Sequence, residues 1–385
     1  MGYRVVSLGD VIKLEDSKRQ PLSSRERGSR RGIYPYYGAQ GIVDYLDDYT
    51  YEGDYLLVAE DGENLRSRKQ PIANAAHGRF RVNNHAHVIA ATKCCNLIYL
   101  RHLLNSMDIA AYVTGSTQPK LSQTSLLNMK VELPEIDKQD AIAAFLHCFD
   151  AKITANTKLN GYLAELLEVL YGEYYLRPQG YDVHWCELGS LCEPISKKHS
   201  FKDAELVFLN TGDVERGLFL HSNYSPVADM PGQAKKSIEK GDILYSEIRP
   251  INRHYAYVNF PADDYVVSTK LMVLRANNFD DRRLYQFLTL RKTVESLQQE
   301  AEGRSGTFPQ IRFDILAKLQ VPIAPAEVEE EYKSLIHVIY DLIDSNVEEN
   351  GALSLLRDSL LPRLMSGEID VSKVELPMQL NSHLA

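Results

Sequence analysis

A chain of 385 residues is longer than one ordinary domain, and its 44% apolar content lets more than one core form. No run of 18 apolar residues marks a membrane span, the opening Met1-Gly2-Tyr3-Arg4-Val5-Val6 lacks a signal peptide's apolar stretch, and five cysteines without a Cys-x-x-Cys pair fit a reducing cytosol better than a disulfide framework. The net charge of −9 divides as +3 over 1–134, −3 over 135–178, −1 over 179–325 and −8 over 326–385, so a locally basic nucleic-acid surface is not excluded.

Residues 1–134 read as mixed α/β. The Ser-rich basic stretch from Lys18 and Arg19 through Arg25, Arg27, Arg30 and Arg31 is expected to be a mobile loop, with phosphate grip as its functional alternative. Tyr34, Tyr36 and Tyr37 fit a packed strand edge better than a base-stacking platform. Short apolar runs at Tyr55–Ala59 and Val88–Ala91 predict strands, and Cys94-Cys95 reads as a buried strand segment. Between the two runs lies a Gly-flanked basic loop, Asn64-Leu65-Arg66-Ser67-Arg68-Lys69-Gln70, then His77-Gly78-Arg79. His85 and His87 share one face of a strand, and without further ligands nearby they make no zinc site. Helical spacing follows at Ile98–Met107.

After Leu133-Pro134 the period changes. Ile142, Phe145, Leu146, Phe149, Ile153, Leu163, Leu166, Leu167 and Leu170 recur at steps of three and four, which predicts a long helix over 135–178 ending at Pro178. Residues 179–325 return to short strands, at Ile243–Tyr245 and Leu271–Leu274, with a helix at Leu284–Leu297. Beyond Val321-Pro322, the residues Leu335, Ile336, Ile339, Leu342, Ile343, Leu353, Leu356 and Leu360 predict a second long helix over 326–371 with Pro362 at its end. Residues 372–385 form a tail expected to be disordered.

The two halves repeat. Thr117-Gln118-Pro119-Lys120-Leu121 matches Thr307-Phe308-Pro309-Gln310-Ile311, and Asn160-Gly161-Tyr162-Leu163 matches Asn350-Gly351-Ala352-Leu353, both at an offset of 190. Glu52-Gly53-Asp54-Tyr55-Leu56-Leu57 likewise returns as Lys240-Gly241-Asp242-Ile243-Leu244-Tyr245. An apolar stripe too long for its own domain, present twice, is most simply covered by the other copy, as an antiparallel coiled coil. Asn156 and Asn346, equivalent in the repeat, either help set the register of that pair or are merely exposed. His147 and His337, also equivalent, could hydrogen-bond across it.

This layout resembles the specificity subunit of type I restriction–modification systems over residues 3 to 371. The stretches that carry the likeness are Tyr34-Pro35-Tyr36-Tyr37-Gly38-Ala39-Gln40-Gly41-Ile42, Gly53 to Gly62, Gly115-Ser116-Thr117-Gln118-Pro119-Lys120-Leu121-Ser122, and Leu360-Leu361-Pro362-Arg363-Leu364-Met365-Ser366-Gly367-Glu368-Ile369. The Pro-Pro-x-x-Glu-Gln start often seen in that family is altered here to Leu133-Pro134-Glu135-Ile136-Asp137-Lys138-Gln139 and Pro325-Ala326-Glu327-Val328-Glu329-Glu330, which leaves the helix starts open. The resemblance implies a mixed α/β chain with two target-recognition domains (1–134 and 179–325) in tandem, separated by two long antiparallel helices (135–178 and 326–371) forming a coiled coil. It implies a cytoplasmic, non-catalytic protein that reads a split site on double-stranded DNA. Its implied partners are two methyltransferase subunits and, where present, restriction or motor subunits. S-adenosylmethionine, ATP and Mg²⁺ would be bound by those partners, and this chain carries no Gly-x-x-x-x-Gly-Lys-[Ser/Thr] phosphate loop and no glycine-rich dinucleotide fingerprint.

Reading DNA takes Lys and Arg for phosphates, and Arg, Lys, Asn, Gln or Thr at base edges. In the first domain the candidates are Asn64, Arg66, Arg68, Lys69, His77, Arg79, Gln118, Lys120 and Gln123; in the second they are Arg249, Asn252, Arg253, Lys270, Arg304, Thr307 and Gln310. No catalytic or metal-binding residue is expected. Two other readings remain. Asp242, Glu247 and Arg249 fall as Asp-x₄-Glu-x-Arg, near a metal-dependent nuclease pattern but without its lysine. The acidic last helix, with Glu327, Glu329, Glu330, Glu331, Glu348 and Glu349, also fits a coiled-coil protein scaffold, or a specificity module of another DNA-modification or defence system without restriction activity.

Overall fold

The computed structural model describes residues 3–304, 309–371 and 374, Arg304 by its backbone alone. Apart from Val374, the tail expected over 372–385 lies outside the described residues. The chain divides into two compact units, one of residues 1–156 with 348–385, the other of residues 157–347.

In the first unit, Tyr55–Ala59 is the central strand, and its unbroken apolar run has a simple cause. Alternate side chains leave a strand on opposite faces, and both faces here are covered. Leu56 and Val58 enter a core with Tyr99, Leu100 and Leu104, whereas Leu57 enters a second core with Phe80, Val82 and Val88. The sheet runs Lys13–Leu14, Ala86–Ala90, Tyr55–Ala59, Ala73–Ala76, antiparallel throughout. A second sheet runs Gly41–Leu46, Arg31–Gly38, Arg79–Val82, Tyr51–Glu52, with Arg31–Gly38 parallel to Arg79–Val82. The helix Leu97–Ser106 starts where the Asn96 side chain accepts the Ile98 and Tyr99 N–H groups.

The second unit repeats this order strand for strand. One sheet runs Cys192–Ile195, Leu271–Ala276, Ile243–Ser246, Tyr255–Tyr257, and the other Tyr224–Pro226, Glu205–Leu209, Tyr265–Ser268, Ala234–Ser237, again with one parallel pair at the centre. In each unit a two-stranded ribbon closes the domain just before a long helix, Arg4–Ser7 with Lys130–Leu133 and His184–Glu187 with Gln320–Ile323.

Four expectations need correction. The stretch from Lys18 to Arg31 is ordered: it holds the helix Ser24–Gly28 with a Ser23/Glu26 capping box, and three of its arginines are paired, Arg19 with Glu60 at 2.6 Å, Arg27 with Asp44 at 3.0 Å and Arg30 with Asp48 at 2.7 Å. Cys94 is exposed in a turn between Thr92 and Cys95, so only Cys95 is buried. The helix expected at Leu284–Leu297 is two, Asp281–Thr289 and Arg291–Arg304, broken where Leu290 turns extended. His337 bonds Asp280 at 2.8 Å, ahead of the helix Asp281–Thr289, and not the other long helix. Tyr36 is buried and Tyr37 sets its edge on Phe80, in keeping with a packed strand.

The long helices are Ile136–Tyr171, extended by a π-helical turn over Gly172–Leu176, and Ala326–Met365. The second runs through Pro362. The proline falls in the last turn, where it forfeits one backbone bond, and Leu364 just beyond is buried in the first unit's core. Within each unit the helix segments lie antiparallel. In the first, Arg357 donates to Asp150 at 2.8 Å, and Asn156 donates to Glu349 at 2.7 Å and Asn350 at 3.0 Å. In the second, Asn346 donates to Asn160 at 2.7 Å and the Tyr175 hydroxyl to Glu329 at 2.9 Å. Asn156 and Asn346 are both buried, which removes the reading of them as exposed residues.

Asp150 also holds Arg101, whose guanidinium donates to the Nε2 of buried His102 at 3.0 Å. Burial, then the Arg101 charge, pushes the His102 pKa down to about 4. An unfolded histidine titrates near 6.5. His102 therefore contributes stability that is complete above about pH 6.5 and drains away as the pH falls towards 4, because the unfolded chain takes up a proton that the folded one refuses. Thermal melts between pH 7 and pH 4 should show a loss on the order of 2–3 kcal/mol that His102→Gln abolishes; an unchanged slope in the variant would refute the assignment.

Candidate nucleic-acid interface

The carboxyl end of the central strand organises each unit in the same way. In the first, Leu121 N–H donates to the Glu60 carbonyl at 2.8 Å, Gly62 N–H to the Pro119 carbonyl at 3.1 Å, and Glu60 N–H to the His85 carbonyl at 2.8 Å. In the second, Ile311 N–H donates to the Glu247 carbonyl at 2.9 Å, Arg249 N–H to the Pro309 carbonyl at 3.1 Å, and Glu247 N–H to the Lys270 carbonyl at 3.0 Å. Both units thus knit three segments together: the strand end, the residue entering the neighbouring strand, and the segment that begins at Pro119 or Pro309. The chain turns with positive φ at Gly62 (109°) and at its counterpart Arg249 (45°). Gly115 is also required, since a Cβ there would meet the Gln118 carbonyl oxygen at 2.3 Å.

This scaffold gathers several of the candidate residues. In the first unit Lys120 pairs with Glu60 at 3.2 Å, and Arg66 reaches the carbonyls of Gly115 and Ser116. Lys69 and Gln118 are exposed on the same loops, and Gln123 is exposed at the start of the helix Gln123–Asn128. In the second unit Lys270 pairs with Glu247 at 3.5 Å, exposed Arg249 and Asn252 flank the turn Pro250–Asn252, with half-buried Arg253 closing it, and Gln310 bridges to Ile248. Thr307 and the side chain of Arg304 lie outside the described residues.

Other candidates have structural work. Asn64 is buried and closes its loop by exchanging hydrogen bonds with the Gln70 backbone at 2.9 Å each way. Arg68, with φ of 52°, donates to the Leu104 and Asn105 carbonyls at 3.0 and 2.7 Å and so caps the helix Leu97–Ser106. His77 and Arg79 are at the opposite end of the sheet, because Tyr55 pairs with Ala76 and Val58 with Ala73; there they bond Asp54 and Glu52.

The base- and phosphate-contact candidates do not include Glu60 or His85, and take Arg19 only as part of a loose basic stretch. Burial pushes the Glu60 carboxyl up, but the Arg19 hydrogen bond, the His87 ring and Lys120 outweigh it and hold the group below its usual range. His87, buried, bonds Asp16 at 2.6 Å and the Leu121 carbonyl at 2.8 Å, whereas His85 is half exposed beside Asp61. The signal for His85 was available: it precedes the strand Ala86–Ala90 as Lys270 precedes Leu271–Ala276.

The nuclease pattern does not form a metal site. Asp242 is fully buried, with both carboxylate oxygens taken by Arg275 at 2.7 and 2.9 Å, and Glu247 faces Lys270. A second surface lies on the second unit's helix segments. Leu159, Tyr162, Leu166 and Val169 stand exposed at steps of three and four, as do Leu335, Val338 and Leu342, with Tyr162 and Val338 each 67% exposed. The Asn160–Asn346 and Tyr175–Glu329 bonds bring these rows level.

Removing the Arg68 cap leaves carbonyls without their partner. Arg68→Ala should lower the melting temperature by about 2–4 °C while Lys69→Ala leaves it unchanged, measured by circular dichroism on the whole chain; equal effects would erase the distinction drawn between the two.

The pattern of the type I restriction modification DNA specificity domain matches this chain twice, over residues 1–164 and 182–353. The chain is 43% identical over 176 residues to the type I restriction enzyme HindI specificity subunit of Haemophilus influenzae, a match covering 45% of this chain and 38% of that one. It is 27% identical over 362 residues to a putative type I restriction enzyme specificity subunit of the same organism, covering 89% and 88%. The fold is that of the S subunit of a type I restriction–modification system from M. genitalium, with a TM-score of 0.60, 15% identity, and coverage of 94% of this chain and 96% of that one.

Proposed function

We propose, on the premise that the chain belongs to the type I restriction–modification DNA specificity family, that it is the sequence-reading subunit of a DNA-modifying complex. Each recognition domain reads one half of a split duplex site with the loops gathered at the end of its central strand. The observation that carries this reading is the repeated scaffold. Two units hold the same three segments with the same backbone bonds, yet present different polar side chains on them, as two readers of two different half-sites require.

The chemistry suits a reader. Lys69 and Lys120 in the first unit, and Arg249 and Lys270 in the second, are exposed cations able to meet phosphates or guanine edges. Gln118, Gln123 and Asn252 offer paired donor and acceptor groups to adenine. The chain supplies recognition and no catalytic step; methyl transfer, and cleavage where a motor subunit joins, belong to partner chains with their own S-adenosylmethionine and ATP. The exposed apolar rows of the second unit's helices support docking of a methyltransferase subunit, since patches of this kind on helices mark protein contacts. The paired helices would fix the spacing between half-sites.

The test is a complex of this chain with an adenine methyltransferase. Methylome sequencing of cells making both should reveal one split motif with a constant gap, and duplex binding should weaken steeply with salt, by a slope of about −0.9 per phosphate contacted. Sequence-indifferent binding, or methylation without a split motif, would favour the scaffold reading. Docking is checked separately. Tyr162→Asp with Val338→Asp should cost at least tenfold in methyltransferase affinity by calorimetry without changing the melting temperature, and unchanged affinity would remove that surface from the interface.

A further inference from the structure

The repeated scaffold allows a position-by-position comparison of the two readers. The residue whose carbonyl receives the glutamate N–H is His85 in the first unit and Lys270 in the second. Their side chains are equally open, 47% and 46% exposed, and each stands beside a carboxylate at the strand end. Their hydrogen-bonding sense is opposite. His85 Nδ1 lies 2.8 Å from Asp61 Oδ2 and 3.0 Å from Oδ1. A carboxylate accepts, so Nδ1 carries the hydrogen, and in the neutral ring Nε2 is left as a bare acceptor. The Lys270 ammonium has three donors and no acceptor.

We propose that positions 85 and 270 are corresponding base-reading positions of opposite sense: His85 accepts a hydrogen bond from the exocyclic amino group of adenine or cytosine in the first half-site, and Lys270 donates to the acceptors of guanine in the second. The major groove supplies these partners. Adenine N6 and cytosine N4 are its amino donors, and guanine N7 and O6 are its paired acceptors. Asp61 is the positioning residue. It fixes the tautomer and, held against Lys120 by a backbone bridge, keeps the ring on the loop that carries Gln118. The charged group bonded to the ring is Asp61, while the carboxylate of Glu60, next to it in the chain, is engaged by Arg19 and Lys120.

This inference rests on the DNA-reading proposal, and the experiment separates the two. The complex of the full chain with its methyltransferase is used at pH 8 to select bound duplexes from a randomised pool. The wild-type complex should yield a split motif; its failure to do so would sink the DNA-reading proposal itself. His85→Lys should convert one base of the first half-site from adenine or cytosine to guanine on the same strand, with roughly ten- to hundredfold preference, leaving the gap and the second half-site as they were. His85→Gln, which retains an acceptor, should keep the wild-type base. Lys270→His should abolish a guanine preference in the second half-site only. A His85→Lys motif identical to the wild-type motif overturns the proposal. If His85→Lys binds no duplex, His85→Gln decides, and a changed or lost motif in that variant overturns it as well.

Discussion

The loop end of each unit depends on the two backbone groups of one glutamate. The amide of Glu60 or Glu247 donates to the residue entering the neighbouring strand, and the carbonyl accepts from the loop that follows the Thr-x-Pro repeat. Neither bond belongs to the regular ladder of the sheet, but both continue it past the last paired residue. A strand end normally leaves such groups to water. Here they are spent on fixing two loops that would otherwise pay a large conformational entropy on meeting a ligand. A loop already ordered before contact loses less on binding, so side chains carried by it discriminate more sharply.

The helices follow a related economy. Asparagine in an apolar helix seam costs stability unless both its amide groups find partners. In the first unit the Asn156 Nδ2 donates to Glu349 and Asn350 and its Oδ1 accepts from Lys152 at 3.0 Å, and in the second Asn346 donates to Asn160, which in turn donates to the Ile343 carbonyl at 3.1 Å. Asn160 and Asn350 are themselves repeat mates, so each unit pairs the first asparagine of one copy with the second of the other. A shift by one turn would strand all four, and that penalty is what a register device needs. The second unit adds its own fixings: Arg282 lies over the Tyr257 ring at 3.7 Å and Arg283 over Tyr175 at 3.8 Å, cations held by aromatic faces.

Much of this was legible in the sequence because it lies in apolar periodicity and in self-similarity. Tyr55–Ala59 is a strand to the residue, and the repeated offset places Asn156 against Asn346 and Lys120 against Gln310. What escaped depends on long-range pairing. Arg19 looked like part of a loose basic loop since nothing nearby announces Glu60, 41 residues away. Arg68 looked like a phosphate contact since its helix cap is formed 36 and 37 residues on. His77 and Arg79 have suitable chemistry but emerge at the end of the sheet opposite Lys120, which strand order decides and composition does not. Pro362 marked the helix end only loosely, because tertiary burial of Leu364 outweighs one missing backbone bond.

The division of labour between backbone and side chain also explains how two copies of one unit can serve different sequences. Every bond that holds the scaffold in both copies is made by main-chain atoms, and main-chain atoms are indifferent to the residue that carries them. Gly62 can therefore correspond to Arg249, Lys120 to Gln310, and His85 to Lys270 without loosening the loops. Exposed side chains on such a frame change charge and hydrogen-bonding sense at little cost in stability, as surface substitutions generally do. The glutamate side chain is the exception, since Glu60 is enclosed by Arg19, Lys120 and His87 while Glu247 faces Lys270 and Lys236. The two units therefore differ at the glutamate side chain while sharing one fold and the same three backbone bonds in each.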